Sequence, residues 1–401
     1  YHHRHRIWRP IYRHVCLGQC GSAISGSVRC AFSRRYPRWC DHGQQYCRVH
    51  RNPTRPAVSR NSVNILYGVQ ATGQGHISRA RAMAEAFRRH DVKVTWLLSG
   101  RPRDQLFDMA IFGDYEHRQG LTFVTEAGRL RYRKTAIGNN VLQFTRDVAA
   151  LDLSCFDLVV TDYEPITAWA GRRQQREVIG IGHQYAFGPK TPKAGDSIIQ
   201  QTIMQRFAPV TRPVGLHWAA FDSNVLPPIL DLPALTDEPS DDVILVYLPF
   251  EDQTRISQWL QSFPEHQFLQ YANGISDEDR GNVGRRKANI KGFKADLARC
   301  KGVICNSGFE LISECLQWHK PVLTRPLKGQ MEQLSNAAAL ESLGYASVMR
   351  QLDEDHTRAW LDRPREAPNV HFNDVASRLA QWLADGANDP IDILCSQLWD
   401  D

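Results

Sequence analysis

The feature that most constrains this chain is an alternation of two periodicities that runs through it twice. Short apolar runs bounded by turn residues alternate with stretches whose apolar residues recur every three to four positions. The first run, VNILYGV (Val63 to Val69), leads into QATGQGHISRARAMAEAFRRHD, a glycine-rich turn followed by a helical pattern with Ile77, Ala80, Ala84 and Phe87 on one face. VKVTWLLSG follows as a second buried strand and completes a β-α-β unit. FDLVVTDYEP (Phe156 to Pro165) and EVIGIGHQYAF continue the alternation. A proline-rich, acidic stretch, LPPILDLPALTDEPSDD (Leu226 to Asp242), interrupts it and reads as a linker. Beyond it the pattern restarts with VILVYLPF, HQFLQYA, ANIKGF, CKGVICNSG and KPVLTRPL, with helical stretches among them.

This predicts an α/β fold class: two Rossmann-like, doubly wound domains facing a cleft, over residues 61–235 and 242–350. Terminal helices over 351–401 are expected to pack back on the first domain. The length agrees, since 401 residues exceed the roughly 250 to 300 at which a single core stops growing. With 42% hydrophobic and 23% charged residues the composition is too apolar for a disordered chain. The longest clean apolar run, VILVYL (Val243 to Leu248), is far short of the roughly 18 residues of a membrane span.

The net charge of +6 invites a nucleic-acid reading until it is located. Residues 1–60 hold twelve Arg, no Lys and one acid, Asp41, and so carry +11; against the total of +6 this leaves −5 for residues 61–401. The body is therefore mildly acidic and gives a phosphate backbone no general attraction. The first 60 residues also contain Cys16, Cys20, Cys30, Cys40 and Cys47, without a C-x2-C pair or a signal peptide. Their bias toward Arg, Cys, His and Trp suits a disordered extension or translated non-coding sequence; a basic tail and a metal site are the other readings.

Two places carry chemistry. Gly73 and Gly75 in the first turn free helix N–H groups for an anion or polar ligand. A dinucleotide fingerprint fits poorly, because Ser78 takes the place of its third glycine and the second strand ends in Ser99-Gly100 rather than in an acid. His76, at the mouth of this turn, suits a general base, and Asp162 at the end of another strand could fix its tautomer. Each could also be an ordinary turn residue. In the second domain a Ser-Gly turn precedes a helix, so the backbone N–H groups of Ser307, Gly308 and Phe309 would meet a diphosphate. Glu314 follows Gly308 by six residues, roughly 9 Å along a helix, about the reach from a diphosphate to its ribose. Glu310, one turn earlier, reads as a solvated glutamate. Glu332 and Gln333 offer an acceptor and an amide to sugar hydroxyls.

With these motifs in place, GQGHISR in the first half and Ser307-Gly308, Ser313-Glu314, Pro326, Gln333 and Asn336 in the second, the chain resembles the GT-B glycosyltransferases that use nucleotide sugars. The resemblance spans nearly all of 61–401 and is strongest to bacterial and archaeal relatives of the UDP-GlcNAc transferase of lipid II synthesis, with a second domain like that of glycosyltransferase family 28. It implies a UDP-sugar held in the second domain, with Phe293 near the base, Ser307 and Gly308 at the diphosphate, Glu314 at the ribose, and Glu332 and Gln333 at the sugar. It also implies His76 as base, Asp162 as its partner, inversion at the anomeric carbon, a hydroxyl acceptor on a lipid or glycan, and no cofactor. No D-x-D motif with a metal role stands out, so a helix dipole is expected in place of a cation. A UDP-sugar epimerase or hydrolase and a non-catalytic nucleotide-sugar-binding protein remain as alternatives. The basic segment Phe123 to Asn140 could line an acceptor cleft or be a solvated face. Cys155, Cys300, Cys305, Cys315 and Cys395 show no disulfide framework, which points to the cytoplasm, at the inner membrane face if the acceptor is a lipid.

Overall fold

The computed structural model describes residues 62–122, 125–126, 129–130, 138–195, 198–233, 242–363 and 367–400. The cysteine- and arginine-rich first 60 residues, most of the basic 123–137 segment and residues 234–241 of the linker lie outside them.

The first lobe is built from β1 (Val63–Gln70), α1 (Gln74–Phe87), β2 (Val92–Ser99), β3 (Glu116–His117), a small antiparallel pair of β4 (Thr125–Glu126) and β5 (Arg129–Leu130), α2 (Val141–Ala150), β6 (Leu158–Asp162), α3 (Pro165–Arg173), β7 (Ile179–Gly182), α4 (Ile198–Phe207), β8 (Arg212–Leu216) and β9 (Val225–Leu226). Seven strands form a wholly parallel sheet in the order β3-β2-β1-β6-β7-β8-β9. Buried on both faces, β1 reads as an unbroken apolar run, with Ile65, Leu66, Tyr67 and Val69 fully buried.

The second lobe comprises β10 (Val243–Tyr247), α5 (Gln253–Gln261), β11 (Gln267–Ala272), β12 (Glu278–Arg280), β13 (Val283–Lys287), α6 (Ile290–Arg299), β14 (Gly302–Asn306), α7 (Phe309–Gln317), β15 (Val322–Arg325), α8 (Met331–Leu343) and β16 (Ser347–Val348). Its sheet runs β12-β13-β11-β10-β14-β15-β16, parallel except for the edge strand β12. The expected fold class is therefore present: two Rossmann-like lobes facing a cleft. Strand order reverses between β1 and β6 in one lobe and between β10 and β14 in the other, the crevices where open parallel sheets bind ligands.

The segment from 351 onward divides instead of packing as a unit on the first lobe. α9 (Glu354–Asp362) buries Trp360 and Leu361 among Ile256, Phe263 and Ile304 of the second lobe. α10 (Val375–Ala384) and α11 (Ile391–Asp400) return to the first lobe. There Arg89 donates to Ser377 (3.2 Å), the Trp399 indole donates to the Val225 carbonyl (2.7 Å), and Arg212 lies over the Trp382 ring. On the second lobe Arg358 of α9 donates to the Ser262 carbonyl (3.2 Å) and lies over the Phe263 ring. Cys300 and Cys305 are core thiols, pushed by burial up to about 11 and about 12. Among the described residues no helix is long and apolar enough to cross a membrane.

Candidate active site

Both topological switch points open on one cleft of about 590 Å³. Val69 of β1 pairs with Asp162 at the end of β6, so α1, which starts four residues after β1, begins beside that carboxylate. His76 Nδ1 lies 2.7 Å from Asp162 Oδ1. Asp162 also receives Arg79 from the next turn of α1, with Nε 3.0 Å from Oδ2 and Nη2 2.6 Å from Oδ1. Burial acts to raise the Asp162 carboxyl, but Arg79 and His76 outweigh it and hold it below the usual carboxylate range. Where Nδ1–H donates to the ionised carboxylate, Nε2 is left bare to accept a proton, and Arg79 Nη2, 2.8 Å from Nδ1, directs its N–H to Asp162 instead.

The backbone beyond Asp162 is strained: Tyr163 has φ of +55°, a left-handed conformation that bulky residues avoid. This turn swings the buried Glu164 under α3, where it accepts from the N–H groups of Ile166 (2.8 Å) and Thr167 (2.7 Å). The Tyr163 ring lies parallel to His76 at 6.5 Å and stacks on Phe207 at 5.0 Å, so an aromatic wall flanks the imidazole.

On the facing lobe, α7 begins at Gly308 with no side-chain cap. α1, capped by Gly73, and α8, capped by Gln330, likewise have no side-chain cap. By contrast α2, α3, α5, α6, α9 and α10 are each capped by a side chain, those of Asn140, Glu164, Asp252, Asn289, Asp353 and Asp374. Gly73, Gly308 and Gln330 all line the cleft. Helix N-termini without side-chain caps present N–H groups and a partial positive charge to whatever occupies it.

The residues singled out from sequence meet here with different roles for their side chains. His76, Asp162 and Glu314 gather around the cleft, and Phe293 lines it with its ring edge-to-face against Tyr247 at 5.3 Å. Glu314, 5% exposed, is ion-paired to Lys294; burial raises its carboxyl and Lys294 opposes the shift. Glu332 accepts from Gln184 across the lobes (3.1 Å), and the Gln333 side-chain oxygen accepts from Leu327 N–H (3.0 Å). The Ser307 hydroxyl is fully buried and turned to Thr324 (2.9 Å), so that residue can offer the cleft no more than backbone. The Phe309 ring, 3% exposed, stacks on His183 of the other lobe at 4.0 Å with the planes 5° apart. Asn336 bonds His183 through Oδ1 (2.7 Å) and donates to the Ser307 carbonyl (3.0 Å), a second tie between lobes.

The two glycines of this turn differ in what they make room for. Gly73 has an extended backbone that any residue adopts, and a Cβ there would meet nothing within 4 Å. A Cβ on Gly75 would meet Glu310 Cγ at 2.6 Å, so this glycine makes room for the opposite lobe. Glu310 is not a solvated glutamate: its side chain is 13% exposed and ion-paired to Arg79 across the cleft. Neither Arg79 nor Glu310 stood out in the sequence, though Arg79 follows His76 by three residues and so had to share its helix face. Among the described residues no cluster of three or more His, Cys, Asp or Glu is placed to hold a metal ion.

Two apposed Rossmann-like lobes, with a histidine–aspartate pair on one and helix starts without side-chain caps on both, define the GT-B class of architecture. Residues 63–364 match the family described as Glycosyl transferase family 1, and the chain belongs to that family. No curated protein matches it by sequence. Solved structures match over most of the chain. The calicheamicin glycosyltransferase CalG4 is 15% identical with a TM-score of 0.52, over 85% of this chain and 97% of that one. The Streptomyces sp. SF2575 glycosyltransferase SsfS6, complexed with thymidine diphosphate, is 13% identical with a TM-score of 0.52, over 83% and 98%. The spinosyn forosaminyltransferase SpnP is 12% identical with a TM-score of 0.50, over 85% and 100%. At such identity the likeness establishes the shared fold.

Proposed function

We propose that the chain transfers a sugar from a nucleoside-diphosphate sugar, of the UDP type, to a hydroxyl acceptor on a lipid or glycan, with inversion at the anomeric carbon. The observation that carries this reading is the 2.7 Å His76–Asp162 contact at one switch point, facing the open start of α7 at the other. In the reaction His76 Nε2 takes the acceptor hydroxyl proton as its oxygen bonds to the anomeric carbon. Asp162 holds Nδ1–H and stabilises the imidazolium that forms. The bond from the anomeric carbon to the diphosphate breaks, and backbone N–H groups of the first turn of α7, from Phe309 on, receive the charge on the leaving oxygen, with Gly308 leaving room for its approach. Glu314 accepts from the ribose hydroxyls, Phe293 packs near the base, and Glu332 and Gln333 bind hydroxyls of the sugar. Nucleotide sugars are made in the cytoplasm, and we place the protein there, at the membrane face if its acceptor is a lipid.

The test is a panel of UDP- and TDP-sugars read by nucleotide release, with product analysis in the presence and absence of acceptor hydroxyl compounds. Acceptor-dependent release with a new glycoside is the expected result. Free sugar released without acceptor would make the protein a hydrolase, and a change of sugar configuration without release would make it an epimerase.

A further inference from the structure

The charges around His76 do not balance within its own lobe. Asp162 on β6 supplies one negative charge, and Arg79 on α1 cancels it through two contacts with the same carboxylate. Arg79 Nη2 is also 2.8 Å from His76 Nδ1, so His76, Asp162 and Arg79 form a triangle with edges of 2.6 to 2.8 Å. A guanidinium this close to the ring disfavours the imidazolium that proton abstraction must produce. The missing charge comes from the other lobe: Glu310, in the first turn of α7, pairs with Arg79 Nη1. With Glu310 in place the cluster beside His76 carries one net negative charge; without it, none. Of the other groups around it, Glu332 on α8 acts on Tyr163 and on His183, and the buried His183 in turn feels Arg79.

Two further observations indicate that this contact is built in. Gly75 lacks the Cβ that would strike Glu310 Cγ at 2.6 Å, so the first turn of α1 is shaped to admit it. Glu310 Oε2 is buried with no hydrogen-bond partner, a cost that a glutamate placed for local stability would not carry.

We propose that Glu310 is a positioning residue that acts through Arg79 on His76, so that the base reaches its working charge balance when the second lobe is docked on the first. The inference rests on the reading of His76 as the base. Both lobes then contribute to proton removal, and the base is weakened whenever the cleft opens.

The experiment is a pH titration of the His76 ring signals by NMR, assigned by their loss in His76→Ala, in the full chain and in Glu310→Gln and Arg79→Met. Removing the anion disfavours the imidazolium, so Glu310→Gln shifts the His76 midpoint to lower pH by about one unit; removing the cation in Arg79→Met shifts it higher by a similar amount. Arg79→Lys keeps the charge and stays near the parent. The acid limb of the kcat/KM profile moves in the same directions. No shift in Glu310→Gln, or shifts of one sign in Glu310→Gln and Arg79→Met, overturns the proposal; if Arg79→Met does not fold, Glu310→Gln decides alone. Opposite shifts in a protein that turns over no nucleotide sugar would uphold the charge coupling and sink the sugar-transfer reading.

Discussion

The starts of α1 and α7 face each other across the cleft, and they are alike in backbone and opposite in the side chains they carry. Each follows a strand that flanks the switch point of its sheet, β1 for α1 and β14 for α7, each begins on a glycine, and neither has a side-chain cap. The first turn of α1 carries His76 and, one turn on, Arg79, groups that take or hold protons. The first turn of α7 carries an acid, Glu310, that pairs with Arg79 across the cleft. On the proposed reading one end handles a proton and the other an anion, and the difference lies in a few side chains on helix starts that flank the two switch points.

Predictions follow from pressing on each end separately. Asp162→Asn removes the carboxylate that orders the imidazole, and turnover is expected to fall about a hundredfold with nucleotide affinity unchanged; steady-state kinetics beside a nucleotide titration check this. On the α7 side, Glu314→Gln keeps the shape but weakens acceptance from the ribose, so UDP binding is expected to weaken about tenfold. Binding of 2′,3′-dideoxy-UDP would be unchanged by the same substitution; equal losses for both nucleotides would place Glu314 elsewhere. The smallest effect is expected at Ser307→Ala. Its hydroxyl bonds Thr324 in the core, so thermal unfolding should show a loss of about 1 kcal/mol with nucleotide affinity intact.

The architecture was legible because its signal is redundant. Strands such as Val63–Gln70 and Gly302–Asn306 are buried on both faces and read as continuous apolar runs, with helices of clear period between them. His76 and Asp162 were legible for a related reason: residues that end neighbouring parallel strands, or begin the helix after one, must meet at the same sheet edge. What the sequence hid depends on rotamers and on lobe closure. Ser307 and Phe309 occupy the expected turn, but one side chain turns into the core and the other onto His183. Glu310 sits 231 positions from Arg79 and on a helix turn that looks solvated until the lobes are docked. Gly75 looked like a turn glycine because the side chain that needs its space comes from the other half of the chain.

The division of labour between the two lobes is tested most directly in His76→Ala, measuring turnover of the best nucleotide sugar and UDP affinity in one preparation. That division predicts that turnover falls roughly a thousandfold while UDP binds as it does to the parent. Retained turnover, or loss of UDP binding together with turnover, would contradict it.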